Sequence, residues 1–292
     1  MTFCGVFVGC MLMLWQSLVI AETVAQKGAY LTAAGGCFGC HTNTVKDSQP
    51  FAGGRALKTP FGVFYSPNIT PDTKNGIGGW SDAQFLKALK NGVSPSGHPY
   101  FPVFPYTSYT KITDEDALAI KAYLFTLPKA ATIDKPHEVS APFSWRWLQW
   151  GWRLLFFDEG PYVAASGASE KIARGGYLVQ ALTHCGECHT PRNVFGAVNN
   201  DLYLAGTADG GEGELVPNIT PDMETGIGDW SEADLVSFMK SGMMPDFDNV
   251  QGSMAEVIDH SLSKLTDGDL AAIAGYLKSI KPIRNVVTKP KS

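Results

Sequence analysis

The sequence predicts an all-α protein of two tandem domains, each a few helices and long loops wrapped around a covalent cofactor. Three observations predict it. The pattern Cys-x-x-Cys-His occurs twice, as Cys37-Phe38-Gly39-Cys40-His41 and as Cys185-Gly186-Glu187-Cys188-His189. A long stretch after the first copy recurs 150 positions later, after the second. Apolar residues outside the loops fall at helical spacing, with little of the period-two alternation of strands.

Each motif reads as a haem attachment site. The two thiols add across the haem vinyl groups, and the adjacent imidazole is placed under the iron. Six Cys and six His in 292 residues give one such motif by chance with a likelihood of roughly 0.2 to 0.3%, so two by chance is negligible. A redox dithiol would want a strand before the motif and a helix after it, which neither copy has. A zinc site built from both cysteine pairs would leave the following His unexplained in each copy. The cofactors expected are therefore two covalently bound haem c groups, on Cys37, Cys40, Cys185 and Cys188, with His41 and His189 as proximal iron ligands.

The repeat is close. Ser66-Pro67-Asn68-Ile69-Thr70-Pro71-Asp72 matches Val216-Pro217-Asn218-Ile219-Thr220-Pro221-Asp222, and the register continues through Gly76-Ile77-Gly78 and Gly226-Ile227-Gly228 to Trp80-Ser81 and Trp230-Ser231. Residues 22–135 and 166–284 are expected as the two domains, with 136–165 as an aromatic-rich linker and 285–292 as a tail.

In chain order, the apolar run over 3–21 ends in small residues before Glu22 and reads as a signal peptide over 1–21. It lacks a positively charged start, so an uncleaved anchor is the other reading. A first helix runs into each haem motif, at about 24–34 and 169–183. The Gly/Pro/Asn-rich stretch that follows fits a loop packed on a cofactor rather than on other chain. A second helix starts at Ser81, where Gln84 completes a capping box, and at Ser231, where Asp234 makes a weaker one. The last helix follows Thr113 and Thr266, with acids in its first turn to suit the helix dipole. Leu118, Ile120, Tyr123 and Leu124 correspond there to Leu270, Ile273, Tyr276 and Leu277, and Tyr30-Leu31 and Tyr177-Leu178 face them from the first helices.

The linker holds four of the seven Trp, in Trp145-Arg146-Trp147-Leu148-Gln149-Trp150-Gly151-Trp152. One reading is a helix tucked between the domains with its aromatics buried against both. The other is a surface for a partner subunit or the membrane interface. Net charge is −5, which gives no sign of nucleic acid as a partner.

The halves differ at the sixth iron position. Met254, 65 residues after His189, is the candidate thioether ligand of the second haem; Met239, Met243 and Met244 are rivals or core filler. The register puts Phe104 where Met254 stands, and no Met lies between Leu14 and Asp222. For the first haem that leaves His98 as a ligand, His98 as a propionate or surface histidine, or an open site.

With these motifs, the runs Phe104-Pro105-Tyr106-Thr107-Ser108-Tyr109 and Met254-Ala255-Glu256 complete a resemblance to the c-type cytochrome subunits of bacterial membrane-associated alcohol and gluconate dehydrogenases. It covers about Val24 to Lys281. The resemblance implies two tandem cytochrome c domains and electron transfer from a catalytic dehydrogenase subunit towards quinone, an oxidase or another cytochrome. It also implies a periplasmic protein, in contact with the inner membrane surface. Two departures stand out: the family commonly has a third haem domain with a C-terminal anchor, and it shows Met where Phe104 stands. The alternative function is a haem enzyme working at an open first haem, like a thiosulfate dehydrogenase or a peroxidase.

Overall fold

A computed structural model describes residues 22–210 and 213–288; the leader or anchor expected over 1–21 and the end of the tail lie outside the described residues. The first half runs α1 (Val24–Ala34), α2 (Cys37–His41), β1 (Ala56–Thr59), β2 (Gly62–Tyr65), α3 (Asp82–Asn91), α4 (Tyr106–Tyr109) and α5 (Asp114–Leu124). A short strand β3 (Glu138–Val139) and a helix α6 (Leu148–Phe156) connect it to the second half. There the helical order repeats as α7 (Glu170–Tyr177), α8 (Gly186–His189), α9 (Glu232–Ser241), α10 (Ser253–His260) and α11 (Asp267–Ser279).

The caps form where the residue types place them. Ser81 with Gln84 and Ser231 with Asp234 both close reciprocal capping boxes, so the acid in the second copy serves as well as the amide. Thr113 and Thr266 accept the amides of Asp116 and Asp269. Each such cap contributes about 1 kcal/mol. The helix expected over 169–183 is α7 followed by one π-helical turn, Leu178–Leu182, which re-aims the chain before the second motif.

In each half the first helix crosses the last at a glycine. A Cβ on Gly28 would lie 1.8 Å from the Ala119 carbonyl oxygen, and one on Gly175 would lie 2.0 Å from that of Ala272. The backbones of α1 and α5, and of α7 and α11, therefore touch directly. Leu31, Ile112 and Ile120 of the first half and Leu178, Leu182, Leu270 and Ile273 of the second belong to one continuous buried cluster. The halves share a core rather than holding one each.

Polar contacts tie them with pseudo-twofold symmetry. The Tyr30 hydroxyl donates across the interface to Asp269 at 2.6 Å, and that of Tyr177 donates back to Asp116 at 2.5 Å. Each carboxylate takes its cation from its own half: Arg174 reaches Asp269 with two nitrogens, at 2.9 and 2.7 Å, and Lys27 reaches Asp116 at 2.8 Å. The two tyrosines thus do more than pack inward within their own half.

The all-α expectation is broadly met, and two details refine the reading. The fold is mainly helical but not wholly so, because β1, β2 and β3 form an antiparallel sheet in which Ala56 pairs with Tyr65 and Val63 with Glu138. Residues 138–139, expected in the linker, thereby join the first half. The linker aromatics are not mostly buried either: Trp145, Trp147, Trp150, Leu154 and Leu155 are exposed, Leu154 at 86%. Its inner side alone packs, with Trp152 and Phe157 against Tyr106 and with Phe156 on Phe195. Arg146 lies over Phe101 and donates to the Pro99 carbonyl, which pins the segment to the first half.

Candidate haem sites

Both motifs sit on a single helical turn, α2 and α8, so that cysteines three apart and the next histidine face one side. Each imidazole is oriented from a distance. His41 Nδ1 lies 2.8 Å from the Pro67 carbonyl oxygen and His189 Nδ1 lies 2.8 Å from that of Pro217. A carbonyl can only accept, so Nδ1 carries the proton and Nε2 presents the lone pair that an iron requires. Burial pushes both imidazoles below the usual histidine range, against the opposing effect of the carbonyl contact, and keeps them neutral.

The repeated loop is what delivers those carbonyls. Asn68 accepts the Thr70 amide and hydroxyl while its Nδ2 donates to the Ala130 and Thr132 carbonyls after α5. Asn218 repeats this with Thr220 and with the Ile283 carbonyl after α11. Gly53 and Gly206 have φ of +74° and +80°, and a Cβ on either would come within about 2.5 Å of the backbone after Pro67 or Pro217. Their amides donate to the carbonyls of His41 and His189, at 2.8 and 2.7 Å. The loop is thus stitched to its motif from both sides.

The thiols lend no support to a redox dithiol. Burial pushes Cys37 up to about 12 and Cys188 up to about 11, and raises Cys40 and Cys185 as well. A dithiol catalyst needs the opposite shift. Nor do the described residues gather three or more His, Cys, Asp or Glu as a zinc site would.

Of the residues considered for the sixth position, Met254 stands half-buried in the first turn of α10, beside the core, rather than in a loop. Met239 is buried inside α9 and Met243 is exposed. Phe104 is half-buried among Tyr100, Tyr106 and Tyr109, with ring centroids 5.7 to 6.5 Å away. His98 is exposed at the tip of a tight turn, where its carbonyl accepts the Ser94 amide at 2.8 Å. Asp248 occupies the matching tip in the second half, with its carbonyl accepting from Met244.

The Cytochrome c family pattern matches residues 25–128. Over 263 residues the chain is 41% identical to the diheme cytochrome c-type protein of Cereibacter sphaeroides, a match covering 89% of this chain and 86% of that one. The chain belongs to the dihaem c-type cytochromes. Its cofactors are covalently bound haem c, and its class of work is electron transfer. This cytochrome is also 43% identical to the fructose dehydrogenase cytochrome subunit of Gluconobacter japonicus and 40% identical to the gluconate 2-dehydrogenase cytochrome c subunit of Pantoea cypripedii. Those matches cover 87% and 89% of this chain, which spans 52% and 60% of the two longer relatives.

The cytochrome's two motifs lie close together in one body. The Cys188 thiol is raised by burial, then by Glu187, and also by Cys185 and by Cys40 of the other motif. Phe38, inside the first motif, packs against His260 of α10 with the rings tilted 39° and their centroids 4.6 Å apart. Arg55 donates to the Gly39 carbonyl of the first motif and to Glu256 of α10, at 2.9 and 2.6 Å. Glu187, inside the second motif, accepts from Thr107 and Ser108 at the start of α4. The second motif is therefore braced by the helix that follows Phe104, and the first by the helix that carries Met254. Sequence reading missed these braces, as it missed Gly28, Gly175 and the exchanged tyrosines. The matched Tyr-Leu pairs and the glycine two residues before each were the only local signals.

Proposed function

We propose that this cytochrome takes electrons from a catalytic dehydrogenase in the periplasm and passes them towards quinone, an oxidase or another cytochrome. The observation that carries the proposal is the bracing of two haem motifs against each other in one shared core. A fixed pair of sites holds donor and acceptor groups at a constant separation, which a carrier needs. Likeness to fructose and gluconate dehydrogenase cytochrome subunits supports a dehydrogenase as the donor. The relatives do not favour the alternative of an enzyme open at its first haem.

When bound, haem c supplies a one-electron ferric–ferrous couple. The chain's own residues do the rest. Cys37, Cys40, Cys185 and Cys188 tether the groups, and His41 and His189 bind iron through Nε2 while Pro67 and Pro217 hold their rings. We assign Met254 as the sixth ligand in the second half. In the first half Phe104 fills the matching position, and the exposed turn around His98 favours the propionate or surface role for that histidine. Residues 22–135 and 166–284 act as two cytochrome c domains. Among the described residues no helix is long and apolar enough to cross a membrane. The exposed Trp and Leu side chains of α6 are the surface assigned to the dehydrogenase partner.

The test is reduction by a partner. The dehydrogenase that co-purifies with the cytochrome, given its substrate, should reduce both haems. Robust peroxidase or thiosulfate-oxidising turnover by the cytochrome alone would overturn the carrier reading.

A further inference from the structure

Glu187 belongs to the second attachment motif by sequence but is held from both halves. Its Oε1 accepts from the hydroxyls of Thr107 and Ser108, at 2.9 and 2.7 Å, and its Oε2 accepts from Arg192 Nη2 at 2.6 Å. An acceptor facing two hydroxyls and a guanidinium is a carboxylate. Its side chain is 12% exposed, against 34% for Arg192. The carboxylate therefore acts from a less polar setting than the guanidinium that balances it, and water screens it less. The first motif is built otherwise: Gly39 stands at the matching position, and Arg55 sits on its carbonyl with Glu256 half exposed.

We infer that Glu187 is a potential-setting residue for the haem at His189, a buried negative charge that both halves hold in place and partly neutralise. Ferric haem carries one more positive charge than ferrous haem, so a carboxylate beside it favours the oxidised state and lowers the potential. The hydroxyl hydrogens of Thr107 and Ser108 and the guanidinium of Arg192 point positive charge at that carboxylate and moderate it. Because α4 begins two residues after Phe104, the first half's sixth-position loop reaches the second haem through Glu187. Whether Met254 binds the iron does not enter this inference.

Redox titration of the full-length holoprotein tests it, because the variants are expected to move in opposite directions. Glu187→Gln removes the charge and should raise one of the two steps. Ser108→Ala and Arg192→Gln leave the charge less compensated and should lower that same step. Loosening of the site, with entry of water, would instead move all three variants one way. Shifts of the same sign in Glu187→Gln and Arg192→Gln, or no shift in either, overturn the inference. Should Glu187→Gln fail to attach haem, Ser108→Ala and Arg192→Gln must still each lower one step, and the absence of that shift overturns it equally.

Discussion

Each histidine proposed as a proximal ligand is oriented by a carbonyl far along the chain, 26 residues on for His41 and 28 for His189. Glycine makes that approach feasible, since Gly206 combines a positive φ with backbone contact on Pro217 and Asn218. Gly206→Ala is expected to lower the yield of haem-loaded protein and the melting temperature, by a strain of about 1–3 kcal/mol. Pyridine haemochrome assay and thermal denaturation would show it. At the sixth position the asymmetry is one of residue type. A thioether stabilises ferrous iron, so Met254→Ala should lower the higher of two redox steps, while Phe104→Met should raise the lower one. If Met254→Ala moves the lower step instead, the ligand assignment from the repeat register is wrong.

The crossing of first and last helices is the element that sets each half. Gly175 allows α7 to lie on α11 with no side chain between them, and any Cβ there meets the Ala272 carbonyl. Gly175→Ala should therefore cost about 1–3 kcal/mol, as overpacking does, even though Ala is the better helix former. Denaturant titration would reveal the loss, and a gain in stability would refute the direct backbone contact. The crossing also presents Tyr177 to the partner half. Tyr177→Phe leaves Asp116 short of a donor in a position with 11% side-chain exposure, for a loss of about 1.5–3 kcal/mol.

At the scale of the whole molecule, one core and two exchanged tyrosine–carboxylate pairs make the halves a single cooperative body. Asp269 gives that interface a pH dependence. Burial alone would raise its carboxyl, but the Arg174 and Tyr30 hydrogen bonds outweigh burial and hold it below the usual carboxylate range. The folded value is thus depressed relative to the unfolded one. Its contribution is complete above the ordinary Asp value of about 3.9 and is lost as pH falls through the depressed value. Acid unfolding followed by helical circular dichroism should show that loss, and Asp269→Asn should be less stable at neutral pH with a flatter acid limb. An unchanged acid limb would show that the pair does not tie the halves together.

The cofactor was legible in the sequence because haem attachment needs residues close together in the chain: the spacing of Cys37, Cys40 and His41, and of Cys185, Cys188 and His189, carries the sites proposed for it. Helix caps were legible for the same reason, since their bonds close within a few residues; the Asn-Ile-Thr-Pro-Asp loop was legible only as a repeat, because Asn68 and Asn218 reach carbonyls 62 to 65 positions away. The short β1–β2 hairpin was not, because it turns through Pro60 and Phe61 and rests on β3, some 75 residues away. Nor was the outward face of α6, whose Trp-rich sequence suits a buried helix and an exposed one alike. Which half each tyrosine serves, and what holds Glu187, only the tertiary structure decided. Those contacts join residues 61 to 239 positions apart, and a hydrogen bond of that span leaves no periodicity for a sequence to display.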